Sequence, residues 1–366
     1  MRARRVAIVG TGLIGGSVGL ALRARGGWER VRGHDEDSAA ARSALARGAV
    51  TEVARTPAEA VTDADVVLLA VPVDRIPALC EATRGAVAPH AVVTDVGSAK
   101  AAVVRAGEGA FGGRFVGGHP MAGSERHGIE AADEHLFAGA WWVLTPTPTT
   151  SPAAYEGASS LAQELGARPV AVDPVSHDAL VARLSHVPQL TASALVEVAA
   201  AAGDRQALLG LAGPGFRDVT RIAASNPDLW IAILRANKAA VSEALRALGE
   251  ELARVGEAVA QERWEELRSF LGAARRARLE LFAKPGYGGK PIALSMLVPD
   301  RPGVLAEVTT AAGELGANIE DLRIVHSTEG GQGRLELIVA GPEAAELLVA
   351  ALVARGYHPE RGEVDL

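Results

Sequence analysis

The chain has 366 residues, too many for one ordinary core, so two or three domains are expected. Apolar residues make up 48% and charged residues 22%, a globular balance, and a net charge of −7 gives no electrostatic ground for binding nucleic acid or an anionic membrane. The single cysteine, Cys80, excludes a disulfide framework and a cysteine-based zinc site; no apolar run reaches the ~20 residues of a membrane span, so a soluble cytoplasmic protein is expected.

From Val6 to Thr145 short aliphatic strands alternate with helices. Strands are predicted at 5–9, 30–34, 66–71, 91–95, 115–117 and 141–144, with helices such as 15–25, 38–47 and 75–87. Nearly continuous apolar strands separated by helices indicate a parallel sheet covered on both faces, a doubly wound α/β domain of the Rossmann type. The run TPTPTTSP at 145–152 breaks the pattern; a helix at 153–165 and a strand at 169–172 close a first domain, 1–172. Residues 173–283 read almost wholly as helix, with apolar stripes through Leu180, Leu184, Val187 and Leu190 and through Leu245, Leu248 and Leu252. Long helices without a sheet need a surface to bury those stripes, so an all-α dimerisation domain and a homodimer are expected. A Pro/Gly linker, 284–290, leads to strands and helices in the order βαββαβ over 291–366, a small ferredoxin-like sandwich.

Gly10, Gly12 and Gly15 fit G-x-G-x-x-G between the first strand and first helix, where a dinucleotide needs them. The first permits a tight turn, the second admits the pyrophosphate, and the third lets helix pack on strand; Leu13 and Ile14 open the helix whose free N–H groups face the phosphates. Asp35 ends the second strand, placed to accept from the ribose hydroxyls. With Glu36 and Asp37 beside it a 2′-phosphate would be repelled, so the expected cofactor is NAD. Val71 and Pro72 are expected to floor the adenosine side, although packing alone would explain them. Further along, Gly117-Gly118-His119-Pro120 sets an imidazole among small residues, suited to a proton acceptor beside a nicotinamide.

Taken together, GTGLIGGS at 10–17, TDVGSAK at 94–100, GGHPMAGSERHG at 117–128, HD at 177–178, SHVP at 185–188 and GFRDVTRIAASNPDLW at 215–230 resemble the prephenate/arogenate dehydrogenases of tyrosine biosynthesis. The resemblance implies hydride loss from a hydroxyl-bearing ring carbon coupled to loss of CO2. His119 resembles the family's catalytic base and Ser98 the residue orienting the hydroxyl and the nicotinamide, although a serine there also suits a helix N-cap. Arg221 resembles the arginine that holds a substrate carboxylate, a task its planar fork suits. Ser124, Glu125, His186 and Trp230 are carried over as substrate-site residues, Trp230 with a core role as the plain alternative. His177 beside Asp178 reads as a structural pair, as do Arg217 and Asp218. No His or Cys stands at metal-ligand spacing, and no metal is expected.

Gln189 departs from the family, many members of which read SHxPH with a second histidine there. A carboxylate would favour arogenate, which carries an ammonium; neutral Gln189 suits the keto acid, so prephenate is the expected substrate and arogenate the alternative. Pro214 is a second departure, inside a loop that relatives keep glycine-rich. The opening strand begins at residue 5, so no chorismate mutase segment is expected before it.

Residues 292–366 resemble an ACT domain, a regulatory module that binds amino acids. The resemblance rests on Asp300-Arg301-Pro302-Gly303-Val304-Leu305 and Gly316-Ala317-Asn318-Ile319. It implies an effector, tyrosine by expectation, held at Asp300, Pro302, Gly303, Val304, Asn318 and Ile319; a non-binding dimerisation module is the alternative. More distant readings are a β-hydroxyacid dehydrogenase or imine reductase, and a non-catalytic sensor of NAD and an amino acid.

Overall fold

The computed structural model describes residues 4–123, 126, 128–201, 211–282, 292–299, 301–326 and 332–363. It forms two compact units, Met1–Leu252 and Ala253–Leu366, the division falling inside the helix Lys238–Ala260.

The first unit is built on β1 (Arg4–Val9), β2 (Trp28–His34), β3 (Glu52–Val53), β4 (Val66–Leu69), β5 (Val92–Asp95), β6 (Phe115–Pro120), β7 (Trp141–Thr145) and β8 (Arg168–Ala171). Between them run α1 (Leu13–Arg25), α2 (Ser38–Ala46), α3 (Pro57–Val61), α4 (Ile76–Thr83), α5 (Ala101–Phe111) and α6 (Pro152–Glu164). The strand order is β3-β2-β1-β4-β5-β6-β7-β8, so the winding reverses between β1 and β4, where such sheets hold ligands beyond the strand ends. Val6 and Ile8 face one core with Val18, Leu22, Trp142 and Leu144, whereas Ala7 and Val9 face the other with Leu69, Ile76, Val93 and Val103. Burial on both faces is why these strands carry no polar alternation.

The sheet departs from the fully parallel reading at one seam. β1 to β6 are parallel, but β7 pairs antiparallel with β6 and β8 runs with β7. Among the described residues between β6 and β7 the only helical piece is a 3-10 turn, Ile129–Ala131, so no crossover helix carries the chain back over a face. β3, two residues long, is too short to leave a sequence pattern.

The helical part of this unit begins with α7 (Pro174–Val181), a π-helical turn at Ala182–His186 and α8 (Val187–Ala200). Pro214–Thr220, a 3-10 turn at Arg221–Ala224, Pro227–Ala236 and Lys238–Ala260 follow. Its own core is small: Ala182, Val187, Val241 and Ala244, with Leu190 and Leu248 beside them. Much of the apolar stripe faces outward, Leu184 being 73% and Val198 72% exposed, with Leu180 and Leu252 also exposed.

In the second unit, β9 (Ile292–Pro299), β10 (Ile319–His326), β11 (Gln332–Val339) and β12 (Glu360–Glu363) form an antiparallel sheet in the order β10-β11-β9-β12. With helices Val304–Glu314 and Pro342–Ala354 they bury Leu294, Met296, Val308, Leu337, Leu348 and Leu352, giving the expected βαββαβ sandwich. The linker 284–290 lies outside the described residues. Among the described residues no helix is long and apolar enough to cross a membrane.

Candidate active site

β1 delivers the chain into Gly10-Thr11-Gly12 at the reversal point. Gly10 has φ +98°, and a Cβ on it would collide with the Ala70 carbonyl oxygen. A Cβ on Gly15 would collide with the Gly10 carbonyl, so α1 packs directly on the turn. Gly12 differs: nothing stands within 4 Å of its Cβ position, leaving open space over the start of α1. Gly12 caps that helix without a side-chain bond, so its first N–H groups remain for a pyrophosphate. Leu13 and Ile14, both half-buried, form its first turn.

Asp35 ties the end of β2 to this turn. One carboxylate oxygen accepts from Thr11 N (2.7 Å) and Thr11 Oγ1 (3.2 Å), the other from Asp37 N (3.0 Å). A carboxylate has about four acceptor sites, so capacity for a ribose hydroxyl remains. Glu36 pairs with Arg75 at 3.0 Å, both well exposed. A Cβ on Gly10 would also meet Val71 Cγ1 at 3.1 Å, and exposed Pro72 offers its carbonyl to Arg75 N at 2.9 Å.

β6 carries His119 beside a buried ion pair that sequence reading missed. Asp95, at the end of β5, accepts from Gly97 N (2.7 Å) and Gly118 N (3.0 Å) and pairs with the Lys100 ammonium. Lys100 also donates to the Gly118 carbonyl at 2.8 Å, and both side chains are wholly buried. Burial lowers the Lys100 pKa, and Asp95 opposes that fall. Gly118 has no room for a side chain: a Cβ would meet the Asp95 carbonyl at 2.5 Å.

A second group of contacts holds the ring of His119. Its Nδ1 lies 2.9 Å from His177 Nε2, and His177 Nδ1 lies 2.9 Å from Asp178 Oδ1. Asp178 also accepts from Lys100 N (2.6 Å) and Ala101 N (2.9 Å), and so caps α5 from another helix. Burial would raise the Asp178 pKa, but the bonds from His177, Ala101 and Lys100 outweigh it and hold the carboxyl below its ordinary range. His119 is pushed well below 6.5, first by burial and then by His177, Lys100 and His186. His186, buried in the π-helical turn, is lowered to about 4, chiefly by burial. Asn237 donates to the Asp178 carbonyl (2.8 Å) and lies 3.3 Å from His186 Nδ1, and the Trp230 ring meets His186 edge-on at 5.9 Å.

Family models match in chain order: "Prephenate dehydrogenase, nucleotide-binding domain" over 18–171, "Prephenate dehydrogenase, dimerization domain" over 173–273, and "ACT domain" over 292–356. A prephenate dehydrogenase of Bacillus subtilis is 33% identical over 340 residues, 91% of each chain. The chain belongs to the prephenate dehydrogenase family. Among solved relatives, the Aquifex aeolicus prephenate dehydrogenase in complex with hydroxyphenyl propionate and NAD+ is 30% identical with a TM-score of 0.72, covering 77% of this chain and 99% of that one. The Synechocystis arogenate dehydrogenase is also 30% identical, with a TM-score of 0.67 over 76% of this chain and 99% of its own.

Among the described residues no hydrogen bond joins Ser98, Gln189 or Arg221, sequence-predicted site residues of this family member, to His119. Ser98 is half-buried in the loop between β5 and α5, two residues before Lys100. It does not cap α5, whose N-cap is Lys100 without a side-chain bond; Asp178 takes that task. Gln189 is buried in the first turn of α8, three residues past His186. Arg221 is exposed on the 3-10 turn and its guanidinium has no partner among the described residues, nor do Arg217 and Asp218 form the expected pair. Ser124, Glu125 and Asp300 lie outside the described residues.

The acid and lysine of TDVGSAK, five residues apart after an apolar strand, were the available signal for the ion pair. Nothing local announced that His177 reaches His119, 58 residues away. In the second unit, Pro302, Gly303 and Val304 line a cleft of about 240 Å³. Asn318 and Ile319 lie at the other end of the sheet: Ile319 pairs with Val339, whereas the cleft borders Gly333 and Pro299.

Proposed function

We propose that this chain is an NAD-dependent prephenate dehydrogenase, converting prephenate to 4-hydroxyphenylpyruvate and CO2 in tyrosine biosynthesis. The observation that carries the reading is His119 at the carboxyl end of β6, held through Nδ1, on the same sheet edge as the open glycine turn after β1. The Gly10–Gly15 turn and Asp35 would hold NAD, which when bound would supply a hydride acceptor for the ring carbon bearing the hydroxyl. His119 Nε2 takes the hydroxyl proton and returns it to the same oxygen once the ring carboxylate has left as CO2. Burial keeps His119 neutral, the state a base requires.

In this reading Ser98 orients the hydroxyl, Arg221 binds a carboxylate, and Gln189 donates to the side-chain ketone. His186, Trp230, Ser124 and Glu125 wall the substrate, while Gly10, Gly12, Leu13, Ile14, Gly15, Asp35, Val71 and Pro72 hold the nucleotide. NADH formation with prephenate and with arogenate, each with NAD and NADP, tests it: turnover of prephenate with NAD is expected, and no turnover of either substrate refutes it. Arogenate is the second reading, supported by the Synechocystis relative.

The domains act as 1–172 for nucleotide, 173–283 for substrate and dimerisation, and 291–366 for regulation, in a cytoplasmic homodimer. The exposed Leu184, Val198 and Leu252 support the homodimer, and a monomeric mass by sedimentation would refute it. Tyrosine as effector is supported by the cleft at Pro302–Val304. Deleting residues 290–366 should remove tyrosine inhibition while leaving turnover; unaltered inhibition refutes this.

A further inference from the structure

Two histidines and an aspartate stand in line behind the reacting position. Asp178, held below its ordinary carboxylate range, has no proton to give and accepts from His177 Nδ1. That bond places the single proton of neutral His177 on Nδ1 and leaves its Nε2 a bare acceptor. His119 Nδ1, 2.9 Å from that atom, must then carry the proton, and the only unprotonated nitrogen of His119 is Nε2. With an uncharged His177, the chain Asp178–His177–His119 has one consistent set of proton positions. It presents a lone pair at the outer nitrogen of His119.

Resting on the reading of this site as a prephenate dehydrogenase, we propose that His177 and Asp178 are positioning residues for the reaction: they fix the tautomer of His119 and share the proton that it takes up. When Nε2 of His119 receives the hydroxyl proton, the N–H at Nδ1 passes its proton to His177 Nε2. The charge then rests on His177 against the Asp178 carboxylate. The proton returns along the same two atoms when the product oxygen is reprotonated, so none is gained or lost. Asp178 also accepts from Lys100 N and Ala101 N, which locks the relay to the start of α5 and to the loop carrying Ser98.

The charged and titratable groups facing this line among the described residues are Lys100 and Asp95 beside β6 and His186 from the π-helical turn. Lys100 and His186 both disfavour positive charge on His119. Asp178 is the carboxylate bonded into the line, which is why uptake of a proton at His119 requires it.

The test compares purified His177→Leu, His177→Gln and Asp178→Asn with the wild type, using prephenate and NAD over a range of pH. Wild-type turnover is the control for the reading itself: if the wild type is inactive, that reading fails. With the wild type active, His177→Leu should lose about a hundredfold in kcat with KM for prephenate little changed, because a buried proton has no acceptor. His177→Gln, whose carbonyl accepts from His119 Nδ1, should recover at least about tenfold of that loss. Asp178→Asn lets an amide N–H donate to His177 Nδ1 and reverses the proton order. Its kcat should fall about a hundredfold, and the acid limb of kcat/KM should move from its wild-type position. Equal rates in the His177→Leu and His177→Gln variants at matched thermal stability, or an unmoved acid limb in Asp178→Asn, would overturn the proposal.

Discussion

Lys100 reaches from the start of α5 to the carbonyl of Gly118, the residue immediately before His119. The same ammonium pairs with Asp95, which accepts the N–H of Gly118, so one buried ion pair grips both sides of a single residue. Position at His119 thus depends on a charge pair at β5 and α5. Removing one partner leaves the other charged and buried. Lys100→Met should cost about 3–5 kcal/mol in denaturant unfolding, and Lys100→Met with Asp95→Asn should recover part of it. Unchanged stability in the single variant would contradict this account.

Gly12 and Gly15 should fail in different ways. Gly12→Ala meets no protein atom, so its melting temperature should stay at the wild-type value while KM for NAD rises at least about tenfold. Gly15→Ala drives a Cβ against the Gly10 carbonyl and should destabilise by roughly 1–3 kcal/mol. Equal effects of both substitutions on NAD binding and on melting would remove the distinction.

His186 makes stability depend on acid. Unfolded, it protonates below about 6.5, whereas folded it stays neutral down to about 4. Below 6.5 the unfolded chain therefore binds a proton that the folded one refuses, and stability falls until about pH 4. The loss attributable to this group is at most about 3 kcal/mol. Urea midpoints of wild type and His186→Gln should converge as pH drops through that window; parallel curves would show that His186 does not contribute.

In the proposed reading Gln189 donates to the ketone of the substrate's side chain. Gln189→Asp places a carboxylate in the first turn of α8, three residues past His186, which suits the ammonium of arogenate and opposes the keto acid. Relative kcat/KM for arogenate over prephenate should rise about tenfold, worth roughly 1.4 kcal/mol. An unchanged ratio would sink this role for Gln189.

Much of the molecule was legible because its signals are local. Apolar runs doubly buried in β1 and β4, the glycines of the first turn and the βαββαβ order of the second unit each follow from neighbouring residues. Long-range directions were not: the reversal of β7 depends on which element bridges β6 and β7, and a two-residue β3 leaves no period to read. The site shows the same division. His119 was visible through its glycine neighbours, but its partner His177 read as half of a pair with Asp178, true as far as it went. That pair's second bond is made only when α7 packs against β6 and α5. Leu184 and Leu252 read as stripes in need of a surface outside their own helices, and within one chain both face outward.

The most direct measurement is the rate of NADH formation from prephenate by the wild type and by His119→Asn, with prephenate binding measured in both. The account predicts rapid turnover by the wild type, and a fall in kcat of about 10²–10⁴-fold in the variant with binding retained. A variant that turns prephenate over at the wild-type rate would contradict the assignment of His119 as the base.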